Sequence, residues 1–344
     1  MRLFVTGGAG YIGSVVTAKL LERGHQVTVF DDLSTGHREL VPEAAHFVRG
    51  DLLDRGAVFS AMGAGFDAVL HFAAKSLVGE SVSRPSLYFG QNIGGAVNLV
   101  DAMREASVPR IVFSSTAAVY GEPEKVPIPE DAPAVPTNPY GASKLAIDQL
   151  IGFAARGHGL TGVSLRYFNV GGAYGLQGER HATETHLIPR ILQSVLAKDA
   201  SMDVYGTDYP TPDGTAIRDY VHVADLADAH LLALGAGTAG EHRIYNLGNG
   251  EGFSVRQVLQ VAREVTQAPI AEAARPRREG DPARLVAASE RARRELGWKP
   301  ERSSLSAIIG DAWSFMTKGR APSGVASVPP HPNPPPKGEG AGSP

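Results

Sequence analysis

The chain has 344 residues, 43% of them hydrophobic, and 33 basic against 36 acidic side chains give a net charge of −3. That length supports a sizeable core and one or two domains, and the balanced charge gives no electrostatic case for nucleic acid or an anionic membrane. The absence of cysteine excludes disulfides, thiolate catalysis and cysteine-held metals. No apolar run approaches the ~20 residues that cross a bilayer. Residues 1–13 lack the basic-then-apolar pattern of a signal peptide, so a cytoplasmic enzyme is the expectation.

The first apolar run, residues 3–5, leads into Thr6-Gly7-Gly8-Ala9-Gly10-Tyr11-Ile12-Gly13 and then a helix-like segment at 14–23. The glycines fit two registers, Gly7-x-x-Gly10-x-x-Gly13 and Gly8-x-Gly10-x-x-Gly13. Such a turn lets the backbone approach a pyrophosphate, and the helix start aims free N–H groups at the anion. A glycine-rich turn is also a plain connector, but here it stands between a strand and a helix. A second strand, 26–30, is followed by Asp31 and Asp32, the first of them 18 residues after Gly13. A carboxylate there accepts the adenosine-ribose hydroxyls and repels a 2′-phosphate, which favours NAD over NADP.

Further buried-strand runs lie at 45–49, 68–72, 110–114 and 162–167, with helix-like stretches at 92–106 and 140–156. This alternation predicts βαβ units and an α/β fold with a doubly wound parallel (Rossmann) sheet. Residues 1–169 are expected to bind NAD, with 220–248 returning to that domain. Loops dominate after residue 169, and 170–318 reads as a smaller α/β substrate-binding domain. Residues 319–344 hold 8 prolines and 5 glycines in 26 positions, and are expected to be a disordered tail. A proline-rich ligand for a partner is the less favoured reading of that tail.

Tyr140 and Lys144 stand at i, i+4 spacing, which puts both on one helix face. A phenol has an ordinary pKa near ~10, and a neighbouring ammonium or the positive ring of NAD⁺ favours the phenolate. The pair is therefore a candidate general base, against the alternative of an ordinary surface Tyr and Lys. Ser114 and Thr116 end the strand at 110–114, where ligands sit in an open α/β sheet. Ser114 divides evenly between capping the strand and serving function; Thr116 favours function. His71 and His222 read as packed strand residues, and no histidine cluster shows metal-ligand spacing, so no metal is expected.

The glycine turn, Asp31, Asp51-Leu52, His71-Phe72-Ala73-Ala74, Ser114-Ser115-Thr116, Tyr140-Gly-Ala-Ser-Lys144 and Arg166-Tyr167-Phe168-Asn169 together resemble the extended short-chain dehydrogenase/reductase family. Further segments resemble its nucleotide-sugar epimerases: His186-Leu187-Ile188-Pro189, Val204-Tyr205-Gly206-Thr207, Arg218-Asp219-Tyr220-Val221-His222 and Tyr245-Asn246-Leu247-Gly248, with Arg278 and Asp281 beyond them. The match runs from residue 2 to about 318.

The resemblance implies Tyr140, Lys144 and Thr116 as catalytic residues. It assigns NAD to Gly7, Gly10, Tyr11, Ile12, Gly13, Asp31, Asp32, Asp51, Leu52, Phe72, Ala73, Ala74, Lys75, Asn92, Ser114, Tyr140, Lys144 and Tyr167. It assigns a UDP-sugar to Thr116, Tyr140, Asn169, His186, Leu187, Val204, Tyr205, Arg218, Arg278 and Asp281, with both arginines on the diphosphate and Asp281 on the uridine ribose. The implied reaction interconverts UDP-glucose and UDP-galactose by inverting C4 through a transient 4-keto sugar. Acceptance of another UDP-sugar is the alternative, since Leu285 stands where room for an N-acetyl group is set. A dehydratase would carry Asp-Glu after Thr116, where this chain has Ala117-Ala118, and an NAD-sensing protein would lack Tyr140 or Lys144. The family also implies a homodimer through the helices at 92–106 and 140–156.

Overall fold

The computed structural model describes residues 1–63, 65–278 and 281–318, so the proline-rich tail lies outside the described residues. Seven strands form one sheet: β1 (Arg2–Thr6), β2 (Gln26–Asp31), β3 (His46–Arg49), β4 (Ala68–His71), β5 (Arg110–Thr116), β6 (Thr161–Tyr167) and β7 (His242–Leu247). Their order is β7-β6-β5-β4-β1-β2-β3, and every pairing is parallel. The chain winds outward from β1 in both directions, so the order reverses between β1 and β4. A crevice opens at the carboxyl ends of the strands there.

The strands read as continuous apolar runs because helices cover both faces. Leu3, Val5 and Val29 pack with Val15, Val16 and Leu20 of helix α1 (Tyr11–Glu22) on one face. Phe4, Phe30 and Phe113 pack on the other face. That second layer includes Leu99 of α2 (Gly94–Glu105) and Ile147 and Ile151 of α3 (Pro139–His158). The segment expected as one helix over 92–106 opens with a π-helical turn, Phe89–Ile93. Asn138 caps α3 by accepting from the Gly141 N–H at 2.9 Å, and Pro139 fills its first position, both normal at a helix start.

Beyond β6 the chain builds smaller pieces around a second core. Asn169–Gly171 pairs in parallel with Tyr220–His222, and Ser201–Tyr205 pairs in parallel with Ala271–Arg275. Helices α4 (Leu187–Leu196), α5 (Val223–Ala233), α6 (Val255–Thr266) and α7 (Leu305–Lys318) follow. Ile191, Leu259 and Ile308 join α4, α6 and α7 in this second core, whereas α5 packs against α1 in the first. No helix among the described residues is long and apolar enough to cross a membrane.

Candidate active site

One cleft of about 1040 Å³ runs along the carboxyl edge of the sheet and on between the two cores. All the residues implicated above line it except Val204. Val204 is 1% exposed and packs in the second core. The strand Ser201–Tyr205 alternates, so Val204 faces inward while its neighbour Tyr205 reaches the cleft.

At the floor, Gly7 has φ +73°, and a Cβ there would stand 2.4 Å from the Ala73 nitrogen. A Cβ on Gly13 would stand 2.2 Å from the Gly7 carbonyl oxygen. These two positions let β1, the loop after β4 and α1 meet. Gly10, the N-cap of α1, caps it with no side chain, and a Cβ there would touch only the Gly7 oxygen, at 3.3 Å. The α1 N-terminus therefore offers N–H groups and the positive end of its dipole to the cleft. A dinucleotide pyrophosphate fits that cradle.

Asp31 ends β2, 7% exposed, and accepts from the Ala9 N–H and the Leu33 N–H, each at 2.9 Å. Burial raises its pKa and these two donors oppose the shift. Two donors leave carboxylate lone pairs for ribose hydroxyls. Asp32 and Asp51 are held by turn N–H groups of Ser34 and Leu53, and Leu52 packs on Gly95. Asn92 is held by the protein: its Oδ1 accepts from the Lys75 N–H at 2.8 Å, and its Nδ2 donates to the Lys75 carbonyl and to Ser143. It fastens the loop after β4 to α3. Tyr11 likewise donates to the Gly172 carbonyl at 2.6 Å, which ties α1 to the second region.

The Tyr–Lys pair stands where the helix register puts it. Lys144 is 3% exposed, donates to the Ser114 carbonyl at 2.8 Å, and lies 4.8 Å from the Phe113 ring centre. Burial lowers its pKa to about 7, against the pull of Asp148. Tyr140 faces the cleft, half-buried; burial raises its pKa and the Thr116 hydroxyl opposes that rise. Thr116 both accepts from the Ala118 N–H at 3.1 Å and lines the cleft. Ser114 is hydrogen-bonded to the Tyr167 hydroxyl. His71 and His222 are packed residues: His71 bonds Thr6 at 2.7 Å, with burial carrying its pKa down to about 3, and His222 caps α5.

Two positioning groups carried no role in the sequence reading. Arg166 and Asp148 form a buried ion pair at 2.9 Å, and Arg166 also donates to Tyr120, which donates to Asn246. Ser115, between Ser114 and Thr116, donates to the same Asp148 carboxylate at 3.2 Å. Asp219 is fully buried and accepts from the N–H groups of Asn249, Gly250 and Ala287. Arg166 and Asp219 both fall within the motif segments, yet their work depends on contacts far along the chain.

At the far end, Arg218 is paired with Asp281 and the Arg278 guanidinium stacks 4.0 Å over the Tyr205 ring. Asn169, Leu187 and Leu285 line the same stretch. His186 starts α4, and its Nδ1 lies 2.8 Å from Glu184 and 2.9 Å from Glu179. Burial alone would lower its pKa, but the two carboxylates carry it up to about 10, and they lift His181 to about 9. Glu179, His181, Glu184 and His186 bring four donor atoms within 4.8 Å of one another. The spacing of the histidines along the sequence gives no sign of this cluster. It escapes spacing rules because an irregular loop, rather than a helix or hairpin, folds it together.

A doubly wound sheet with an uncapped glycine turn at its crossover, and a Tyr–Lys pair beside it, defines a dinucleotide-dependent oxidoreductase-type fold of the short-chain dehydrogenase/reductase class. The model of the NAD dependent epimerase/dehydratase family matches residues 3–248, and the chain belongs to that family. It is 55% identical to the UDP-glucose 4-epimerase of Corynebacterium glutamicum, over 92% of this chain and 96% of that protein. Its structure is similar to that of UDP-glucose 4-epimerase from Brucella ovis in complex with NAD, with a TM-score of 0.87, 42% identity, and 91% and 98% of the two chains covered. The Bifidobacterium longum UDP-glucose 4-epimerase in complex with NAD⁺ and UDP superimposes with a TM-score of 0.86 at 35% identity, covering 92% and 98%.

Proposed function

We propose that this chain is an NAD-dependent enzyme that interconverts UDP-glucose and UDP-galactose by inverting C4 of the hexose through a 4-keto sugar. One observation carries the reading: a single cleft joins the uncapped α1 N-terminus, the Tyr140–Lys144–Thr116 group and the arginines Arg218 and Arg278. The UDP-glucose 4-epimerases at high identity over nearly the whole chain support it.

The residues divide the work. The α1 N-terminus and Gly10 receive the NAD pyrophosphate, and Asp31 receives the adenosine ribose. Bound NAD supplies a hydride acceptor and donor at C4, and a positive charge beside the phenol. Tyr140 takes the proton of the sugar 4-hydroxyl as C4 is oxidised, holds it while the keto sugar turns over, and returns it to the 4-oxygen as hydride is restored to the opposite face of C4. Lys144 places its charge beside Tyr140 and its proton on the Ser114 carbonyl side of the cleft. Thr116 hydrogen-bonds the same sugar oxygen. Arg218 passes from Asp281 to the diphosphate, and Asp281 is then released to the uridine ribose. Arg278 grips the diphosphate from Tyr205, with Asn169, His186 and Leu187 around the nucleotide. A guanidinium fork suits that grip. Tight hold on the nucleotide and loose hold on the hexose is what inversion requires.

Ala117 and Ala118 line the cleft directly after Thr116, so the acid–base pair that a dehydratase needs is replaced by methyl groups. Residues 1–169 with 220–248 form the NAD-binding part of this proposal, and 170–318 the substrate part. A homodimer is included, supported by the exposed Val97 and Phe153 on α2 and α3, as is the cytoplasmic location expected from sequence.

Purified protein given UDP-galactose without added cofactor is expected to form UDP-glucose in a coupled assay. Tyr140→Phe is expected to lose ~10²–10⁴ in rate and still bind UDP. No turnover with or without added NAD would refute the UDP-hexose assignment.

A further inference from the structure

The loop that leads into α4 carries a donor set of which the epimerisation reading uses only His186. His186 Nδ1 lies 2.8 Å from Glu184 Oε1 and 2.9 Å from Glu179 Oε1. His181 Nδ1 lies 3.0 Å from Glu179 Oε1 and 3.6 Å from Glu184 Oε2. Yet His181 Nδ1 is sealed from water and makes no aligned hydrogen bond among the described residues. His186 Nδ1 is hydrogen-bonded to Glu184, whereas His181 Nδ1 approaches both carboxylates unaligned, and the four donor atoms lie within 4.8 Å of one another around a common point. Donors ~2.0–2.1 Å from a tetrahedral zinc ion are roughly 3.3 Å apart, within the range seen here.

Charge and donor chemistry agree with the geometry. The Glu179 and Glu184 side chains are 9% and 4% exposed, so two carboxylates are confined almost without water. An entering divalent ion displaces the ring protons of His181 and His186, and two carboxylates with two neutral imidazoles around it then sum to zero. Mixed imidazole and carboxylate ligation selects a borderline transition ion over Mg²⁺ or Ca²⁺, which prefer all-oxygen sites. Four protein ligands close the coordination, the pattern of a structural rather than a catalytic site.

We propose that Glu179, His181, Glu184 and His186 bind one divalent transition-metal ion, zinc in class, that pins the loop over the nucleotide end of the cleft. Elsewhere the loop is fastened mainly through Arg180: its carbonyl bonds His37 at 2.7 Å, and its guanidinium pairs with Glu39 at 3.4 Å and lies over Phe315. The ion fixes the ring of His186 and the start of α4 together.

The test uses the full chain with its NAD, free of any affinity tag, treated with chelator and returned to metal-free buffer. Zn²⁺ titration by calorimetry is expected to show one site per chain at micromolar affinity or tighter. Co²⁺ is expected to give the intense visible bands of four-coordinate cobalt. His181→Ala and Glu184→Gln are each expected to weaken binding at least ~100-fold, since even a hydrogen-bond partner of a ligand is worth 10–100-fold. Absence of a stoichiometric site in the wild-type chain overturns the proposal, whatever the variants do. So does zinc binding in both variants equal to wild type. Either result leaves the epimerase assay untouched, so the two claims fail separately.

Discussion

Gly7→Ala probes the joint on which cofactor binding depends. Gly7 has φ +73°, and its added Cβ would meet Ala73 N at 2.4 Å, with Ala73 Cα and the Phe72 carbonyl carbon each at 2.8 Å. All three atoms are backbone, so no side chain can swing aside. The left-handed backbone costs a non-glycine residue roughly 1–2 kcal/mol, and forcing the loop after β4 outward costs about 1–3 kcal/mol more. A total near 3 kcal/mol corresponds to ~100-fold in an equilibrium constant. Because the displaced residues 72–75 line the cleft, the loss falls on both folding and NAD retention. Gly10→Ala is the companion: its Cβ would meet only Gly7 O, at 3.3 Å, and Gly10 has φ −81°. The assay is melting temperature together with NAD released per chain on denaturation. Gly7→Ala is expected to melt roughly 4–8 °C lower and to purify largely without NAD. Gly10→Ala is expected to keep its fold within about 1 kcal/mol while losing NAD. Wild-type melting and NAD content in Gly7→Ala would refute the reasoning, as would equal loss of stability in both variants.

Two further outcomes follow from the buried charges. Lys144 titrates at about 7 in the folded chain because burial disfavours its charge, whereas in an unfolded chain it titrates near ~10.4. Between those values the unfolded state holds more protons, so stability rises with pH, by up to about 1.4 kcal/mol per pH unit. In chain freed of NAD, wild type is therefore expected to gain stability relative to Lys144→Met between pH 7 and 9; denaturant unfolding at three pH values checks it, and a flat difference contradicts it. Asp148→Asn leaves the Arg166 guanidinium buried without its partner, and is expected to cost about 3–5 kcal/mol and to lower kcat through the Ser115 contact. A loss under about 1 kcal/mol in urea unfolding would contradict that role.

The large sheet was legible because its inner strands are buried on both faces and read as apolar runs. The structure mostly lengthens those runs, as in β5, which continues through Ser115 and Thr116. The glycine turn was legible because its constraint is local: Gly7 and Gly13 face backbone within a few residues or one strand away. Other features depend on partners remote in sequence. The Arg218–Asp281 pair spans 63 positions, and nothing near Arg218 announces that its partner in the cleft is the acid expected to hold the ribose. The inward turn of Val204 follows from the strand pairing of Ser201–Tyr205 with Ala271–Arg275. The strands Ile217–Arg218, Phe253–Ser254 and Arg284–Leu285 are two residues each, too short for any alternation, and tertiary contact alone defines them.

The central claim is that the hydrogen leaving C4 returns to the same carbon on the opposite face. UDP-galactose carrying deuterium at C4 of the hexose, incubated with the wild-type chain in ordinary water, tests it directly by mass spectrometry and proton NMR of the UDP-glucose formed. The account predicts full retention of deuterium at C4 with inverted configuration and no solvent hydrogen there. Loss of the label to water during turnover would contradict it.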